Sequence, residues 1–338
     1  MARKVKWGIL STAGIAKRRV IPAMKQCEIA EIAAISSRSL ESAKAAAAEF
    51  SIPKAYGSYE ELLRDPEIEV VYNPMPNHLH AEWTIRAASA GKHVLCEKPI
   101  ALNAAEARKI REAREKYGVK IGEAFMVSTH PQWLRTKELV QSGRIGKLRS
   151  AAGHFSYFNA DPKNVRNSVE YGGGALLDIG CYPVKTTRMV FAEEPLRVSA
   201  CIERDPKFKT DRLTSAILEY PSGQCIFTVS TQAVYYQKMQ FFGTERRIDV
   251  EIPFNAPTDS PTRIFIDDGS QLYGGASQIV ESFPICNQFT IQGDLVSKAV
   301  LENKEVPNPV EDAICNMAVL DALFRSAESG KWEVPERL

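Results

Sequence analysis

Over the first 124 residues, apolar runs of strand length alternate with stretches that carry helix caps, and few architectures accept that order. Val5 to Leu10, Ile29 to Ile35, Ile68 to Tyr72, Val94 to Cys96 and Val119 to Gly122 are short and apolar enough to be strands covered on both faces. Between them, Ser39 precedes an alanine-rich helix to Phe50, and Ser58 with Glu61 spells a capping box for a helix to Arg64. Asn77 starts a helix after two prolines, and Asn103 with Glu106 caps another that Gly118 ends. Strand and helix in alternation predict a doubly wound parallel sheet with helices on both faces.

After Glu123-Ala124-Phe125-Met126 the rhythm changes. One helix, Pro131 to Ser142, is followed by alternating stretches at Lys147 to Phe158, Arg197 to Arg204, Leu213 to Tyr220, Gln224 to Gln232, Lys238 to Phe242 and Arg246 to Ile252. Pro221-Ser222-Gly223 reads as a hairpin turn joining two of them. The expectation is an α/β unit with a large, mostly antiparallel open sheet, one face covered and the other able to meet a second subunit. Gln271 to Ser282 reads as loop, and Pro309 to Gly330 as a closing helix packed back on the rest. The division expected is therefore 1–124 and 125–338, with the closing helix at about 309–329.

The chain carries 43 basic against 41 acidic side chains, which leaves no field to attract nucleic acid. Small neutral or mildly anionic ligands fit better. No segment has the length of apolar residues a membrane span needs, and Val5 opens a strand too early for a signal core before it. Seven scattered cysteines suit reduced thiols and a cytoplasmic location.

Chemistry collects at four places. Between the first strand and its helix, Gly8, Ser11, Thr12, Ala13, Gly14 and Ile15 stand where a dinucleotide fingerprint belongs, with small residues letting backbone approach a pyrophosphate. The match is degenerate, with Ser11 and Ala13 at the usual glycine positions. After the second strand, Ser37 and Arg38 offer a hydroxyl and a guanidinium where an NAD enzyme places a carboxylate, which selects NADP over NAD. The alternative is that Ser39 only caps its helix and Arg38 is solvated. In Lys92-His93-Val94-Leu95-Cys96-Glu97-Lys98-Pro99 a buried strand ends on a lysine, and such ends face the ligand crevice of an open parallel sheet. From these eight residues alone, a surface Glu-Lys pair is an equal reading. Finally, Gly172-Gly173-Gly174 allows close backbone approach to a ligand, and Asp178 and Tyr182, four apart on the helix that follows, make a carboxylate-phenol pair for proton transfer or simply a polar helix face. His78 and His80 lack the spacing and partners of a zinc site, so no metal is expected.

Taken together, Glu97-Lys98-Pro99, Pro76-Asn77 with His80, and the glycines followed by Asp178, Gly180 and Tyr182 resemble the glucose-fructose oxidoreductase, inositol dehydrogenase and MocA family. Glu123-Ala124-Phe125-Met126, His130-Pro131-Gln132 and the closing helix extend the resemblance along nearly the whole chain. Tyr182, where many members carry histidine, makes the chain most similar to the branch of glucose-fructose oxidoreductase, NADP-linked xylose dehydrogenases and dimeric dihydrodiol dehydrogenases. The resemblance implies an N-terminal Rossmann domain that binds NADP, followed by a domain for substrate and oligomerisation, as a homodimer or homotetramer through the C-terminal sheet. It implies that Lys98, Tyr182 and Asp178 are catalytic, and that Pro76, Asn77, His80, Glu97 and Arg166 lie near cofactor or substrate. The activity implied is hydride transfer between NADP and a hydroxyl or carbonyl carbon of a sugar or polyol. A keto-sugar reductase, a dihydrodiol dehydrogenase and a non-catalytic NADP-sensing regulator are the alternatives. Val165 and Ser128 depart from the family pattern and leave the substrate open.

Overall fold

A computed structural model describes residues 3–271 and 277–338. It divides into two compact units, 1–126 with 287–314, and 127–286 with 315–338. The chain thus returns to its first unit after residue 286, a return the sequence reading, with one crossing near 124, does not contain.

In the first unit β1 (Val5–Leu10) leads through a wide helical turn at Ala16–Val20 into α1 (Ile21–Met24). Then come β2 (Ala30–Ser36), α2 (Leu40–Phe50), β3 (Lys54–Tyr56), α3 (Tyr59–Arg64), β4 (Val70–Asn73), α4 (His80–Ser89), β5 (His93–Glu97), α5 (Ala104–Tyr117) and β6 (Ile121–Ala124). The strands form one parallel sheet in the order β3-β2-β1-β4-β5-β6. The order reverses between β1 and β4, and at such a switch point the loops at the carboxyl ends part to make a crevice. Trp7, Ile9, Tyr72 and Leu95 belong to the core.

The caps act as read, with one refinement. Ser39, Ser58 and Asn103 each accept the amide hydrogen bond of the third residue on. Glu61 and Glu106 reach one residue beyond the cap, to the amides of Gly57 and Leu102. Both thereby tie down the chain entering the helix rather than the cap itself.

The second unit begins with α6 (Pro131–Gln141), β7 (Leu148–Phe158), a second wide turn at Leu176–Gly180 and α7 (Cys181–Phe191). There follow β8 (Arg197–Arg204), β9 (Asp211–Glu219), β10 (Gln224–Ser230), β11 (Gln232–Gly243), β12 (Arg247–Val250), β13 (Thr262–Asp267) and β14 (Ile279–Phe283). These make one eight-stranded sheet, β14-β13-β12-β11-β7-β10-β9-β8, antiparallel except where β10 runs parallel to β7. The hairpin at Pro221-Ser222-Gly223 closes with Tyr220 and Gly223 exchanging backbone hydrogen bonds. Ile279–Phe283 corrects the loop expected over 271–282: it pairs as an edge strand, while residues 272–276 of that loop lie outside the described residues.

The chain then enters α8 (Gln288–Leu301), which the sequence reading did not anticipate, and α9 (Val310–Ser329), which it did. α8 packs in the first unit. The Trp7 indole donates to Ser297 Oγ at 2.9 Å, the Asp294 carboxylate accepts from the amides of Glu28 and Ile29, and Gly293 lies against Cys27.

Candidate active site

Parallel pairing puts the ends of β1, β2, β4 and β5 on one edge of the first sheet, and most of the candidate cofactor residues follow those ends. Ser11 is in the left-handed region at φ 71°, a conformation for which the fingerprint normally uses glycine. Its hydroxyl accepts the Ala13 amide, and the Ala13 carbonyl accepts the amide of Lys17. Gly14 is backed by the tip of the Arg18 side chain, and Ala16 is fully buried in the packing position. The loop that includes Thr12 therefore has the small-residue form of a pyrophosphate cradle despite its altered sequence. Ile15 packs its side chain on the core and has only main chain to offer. Gly8 is corrected: a Cβ there would meet Leu62 at 2.7 Å and Ile68 at 3.0 Å, so this glycine serves packing of α3 on the strand rather than a ligand.

After β2, the Ser37 amide is bonded to the Tyr56 carbonyl, and its hydroxyl accepts the Ser39 amide. Arg38 is exposed and lies beside the Tyr59 phenol, whose pKa it lowers against the larger upward effect of burial. Ser36-Ser37-Arg38-Ser39 contains no acid, and a guanidinium with hydroxyls is a fitting donor set for a ribose phosphate.

After β4, buried Asn73 organises the turn that carries Pro76 and Asn77, donating to the His80 carbonyl and Thr84 and accepting the Met75 amide. His80 is corrected as a cofactor ligand. It is 1% exposed, with Nδ1 2.7 Å from the Pro99 carbonyl and Nε2 2.6 Å from that of Met75. A neutral ring can donate to only one of these, while burial above all, with the Lys98 charge adding, pushes its pKa down to about 4. Each nitrogen faces a backbone carbonyl, so whichever carries the proton bonds to backbone and neither is turned toward a ligand.

After β5, the Tyr72 hydroxyl donates to Glu97 Oε1 at 2.6 Å and the Lys98 amide to Oε2 at 3.3 Å, which turns Glu97 inward. Lys98 is half-buried, and the Lys98-Pro99 peptide bond is cis. Glu123, 1% exposed at the end of β6, accepts the Ile100 amide at 2.8 Å and holds the next step of this loop.

The second unit contributes a separate constellation. Asp178 lies within the wide turn and Tyr182 in α7, so the two straddle a junction instead of sharing one regular helix face as expected. Asp178 Oδ2 accepts from the Tyr157 hydroxyl at 2.6 Å and from Arg166 Nε at 2.9 Å. Burial and the Asp178 charge hold the Tyr157 phenol well above its usual pKa, so it stays a donor. Arg166 is stabilised as a cation chiefly by Asp178, with Tyr157 and Tyr182 adding. The Tyr182 ring is 5% exposed and packs on Phe155 and Phe254, with centroids at 5.7 and 5.3 Å.

The glycine run has a different use from the one expected. Gly173 and Gly174 press against protein: the Gly174 amide bonds to the Arg166 carbonyl, and a Cβ on Gly173 would fall 2.3 Å from that oxygen. Asp211, 2% exposed, accepts from the Leu176 amide at 2.6 Å and from Thr214 at 3.2 Å. Burial raises its pKa to about 6. Tyr157 and Asp211 are residues of this constellation that the sequence reading missed, since nothing in local spacing links Tyr157 to Asp178 or Asp211 to Leu176.

Among the described residues no group of three or more His, Cys, Asp or Glu could hold a metal ion, and no helix is long and apolar enough to cross a membrane. None of the seven cysteines is joined in a disulfide.

A parallel sheet with a switch point and a small-residue loop after β1 fits dinucleotide binding, and the family match defines the class: an oxidoreductase dependent on a nicotinamide dinucleotide. The chain belongs to the GFO/IDH/MocA family of oxidoreductases, whose NAD-binding Rossmann model matches residues 5–125 and whose C-terminal domain model matches 133–249. It is 46% identical over 330 residues to an uncharacterized oxidoreductase of Rhizobium meliloti, covering 97% of this chain and 98% of that protein. It is 37% identical to an NADP-linked D-xylose 1-dehydrogenase of Haloferax volcanii, covering 96% and 98%. Among solved structures, a 3-ketoreductase from Actinomadura kijaniata in complex with NADP and TDP-benzene superposes with a TM-score of 0.89 at 27% identity, over 96% of this chain and 98% of that one. These relatives agree with the recognised family and with an enzyme acting on CH-OH groups.

Proposed function

We propose that the chain uses NADP to oxidise a hydroxyl carbon of a sugar or polyol, in the manner of an aldose dehydrogenase, with Tyr182 exchanging the hydroxyl proton. The observation that carries this reading is the constellation of a buried phenol at Tyr182 with the Arg166-Asp178 ion pair acting beside it. The xylose dehydrogenase and the ketoreductase named above support the substrate class and the cofactor.

NADP would be held by the Ser11 to Ile15 loop, with Ser37 and Arg38 for its ribose phosphate, and would supply hydride acceptance or donation. The protein must move a proton. A phenol has an ordinary pKa near 10, too high for an efficient base at neutral pH. Cations offset this, and two are proposed: Arg166, which interacts with Tyr182 within the second unit, and Lys98 at the end of β5. Asp178 orients the substrate hydroxyl or the phenol, and in the reductive direction Tyr182 is the acid.

Exposed apolar side chains on the second sheet support a homo-oligomer formed through it. Ile217 and Ile226 are cross-strand partners, and Phe158, Val234, Tyr235 and Tyr236 are all at least half exposed. Seven cysteines outside any disulfide support a cytoplasmic setting.

The test is NADP reduction by the full-length protein on a panel of aldoses, polyols and trans-diols, comparing wild type with Tyr182→Phe and Lys98→Ala. Tyr182→Phe is expected to lose about 10²- to 10⁴-fold in turnover with NADP binding little changed. Wild-type turnover in that variant rules out the phenol as acid/base. NADP binding without turnover on any member of the panel, in either direction, favours the sensor.

A further inference from the structure

We propose that Tyr157 is a positioning residue of the reaction: its hydroxyl, together with Arg166 Nε, fixes the Asp178 carboxylate at Oδ2. The inference rests on the reading above that Asp178 serves the proton transfer. Both donors converge on Oδ2, at 2.6 and 2.9 Å, so the plane of the carboxylate, and with it the direction of Oδ1, is set from two sides. The donors come from different parts of the unit. Tyr157 stands near the end of β7, two residues beyond Phe155, which is paired on both sides, and beside an irregular stretch of β11 between Gln232 and Tyr236, whereas Arg166 stands on the loop whose carbonyl packs against Gly173.

Strand geometry explains why β7 supplies this group. Side chains two apart on a strand share a face, so Phe155 and Tyr157 present themselves side by side. Phe155 meets the Tyr182 ring, and Tyr157 meets the Asp178 carboxylate. One strand thereby sets the spacing of both proposed reactive groups, which the wide turn at Leu176–Gly180 would otherwise leave to a less regular stretch of helix. Tyr157 is not a second acid/base, because burial and the Asp178 charge hold its proton in place. Arg166 from the loop, Asp211 from β9 and Tyr182 from α7 also act within this cluster.

The experiment compares Tyr157→Phe, Asp178→Asn and the double variant in the full chain. With NADP and the sugars of the panel, Tyr157→Phe is expected to lower kcat about tenfold, leave the KM for NADP unchanged and move the acid limb of kcat up by about one pH unit, because a charge-assisted hydrogen bond to the ionised carboxylate is lost. Carbon-13 NMR on protein labelled at the aspartate carboxyl follows Asp178 without turnover: the resonance missing from Asp178→Asn is expected to titrate about one pH unit higher in Tyr157→Phe. Full turnover in Asp178→Asn overturns the reading of Asp178 itself. Impaired turnover in Asp178→Asn, with a wild-type kcat and acid limb in Tyr157→Phe, overturns the inference alone. An Asp178 resonance that titrates at the same pH in Tyr157→Phe as in wild type overturns it whatever the turnover shows.

Discussion

The carboxylate of Asp211 occupies the place that a side chain at position 174 would need: a Cβ built on Gly174 falls 1.9 Å from Asp211 Oδ1. Gly174 also sits at φ 118°, a region that side chains rarely enter. Gly174→Ala must therefore displace the group that holds the Leu176 amide, and we expect a loss of about 3 kcal/mol or more in urea unfolding. Gly118→Ala is the control. At φ 64° with nothing within 4 Å, it meets only left-handed strain and should cost about 1 kcal/mol.

A gain is expected at the other end of the same helix. α7 terminates on Ala192, exposed and left-handed at φ 55°, where helices commonly end on glycine. Ala192→Gly removes the Cβ strain without taking a buried group away. A rise in stability of about 1 kcal/mol, read as an upward shift in denaturation midpoint with unchanged slope, is the expected outcome.

Cofactor choice is tested at Arg38. If its guanidinium reads the ribose phosphate, Arg38→Ala should weaken NADPH by about 10- to 100-fold and NADH little, measured by fluorescence titration. Equal losses for the two would remove Arg38 from the phosphate site.

Asp211 also gives stability a pH dependence of known sign. Its pKa rises on folding from 3.8 to about 6, so between those values the folded chain binds the proton more tightly than the unfolded chain. The associated stabilisation is complete below pH 3.8 and is lost as pH rises through about 6. Subtracting Asp211→Asn from wild type, in urea unfolding at half-unit steps from pH 4 to 7, should isolate a stability difference that falls with rising pH. A flat difference would show that the carboxyl is already ionised throughout.

What could be read in advance follows from how each element is buried. The first sheet announces itself because its parallel strands are covered on both faces and so appear as uninterrupted apolar runs, as in Val94-Leu95-Cys96. α8 hides because its buried face includes Gly293 against Cys27 and Ser297 under Trp7, a small residue and a polar one where a periodic apolar stripe would be sought. β14 hides as an edge strand whose Ile279 and Val280 are about half exposed. In the second unit, motifs pointed to Arg166, Asp178 and Tyr182 by their local company. Tyr157 and Asp211 reach Asp178 and Leu176 across 21 and 35 residues through sheet pairing, which no local pattern encodes. The glycines were legible as points of close approach, but what approaches them is the Arg166 backbone and the Asp211 carboxylate rather than a ligand.

The return of α8 to the first unit bears on how such enzymes can be recombined. A chimera joined only near residue 126 inherits Trp7 from one parent and the residue opposite its indole, at 297, from the other, together with a foreign partner at 294 for the amides of Glu28 and Ile29. Transplanting cofactor preference between homologues therefore calls for two gene segments moved as a set, and single-junction libraries will be depleted of folded offspring wherever the parents disagree at those positions.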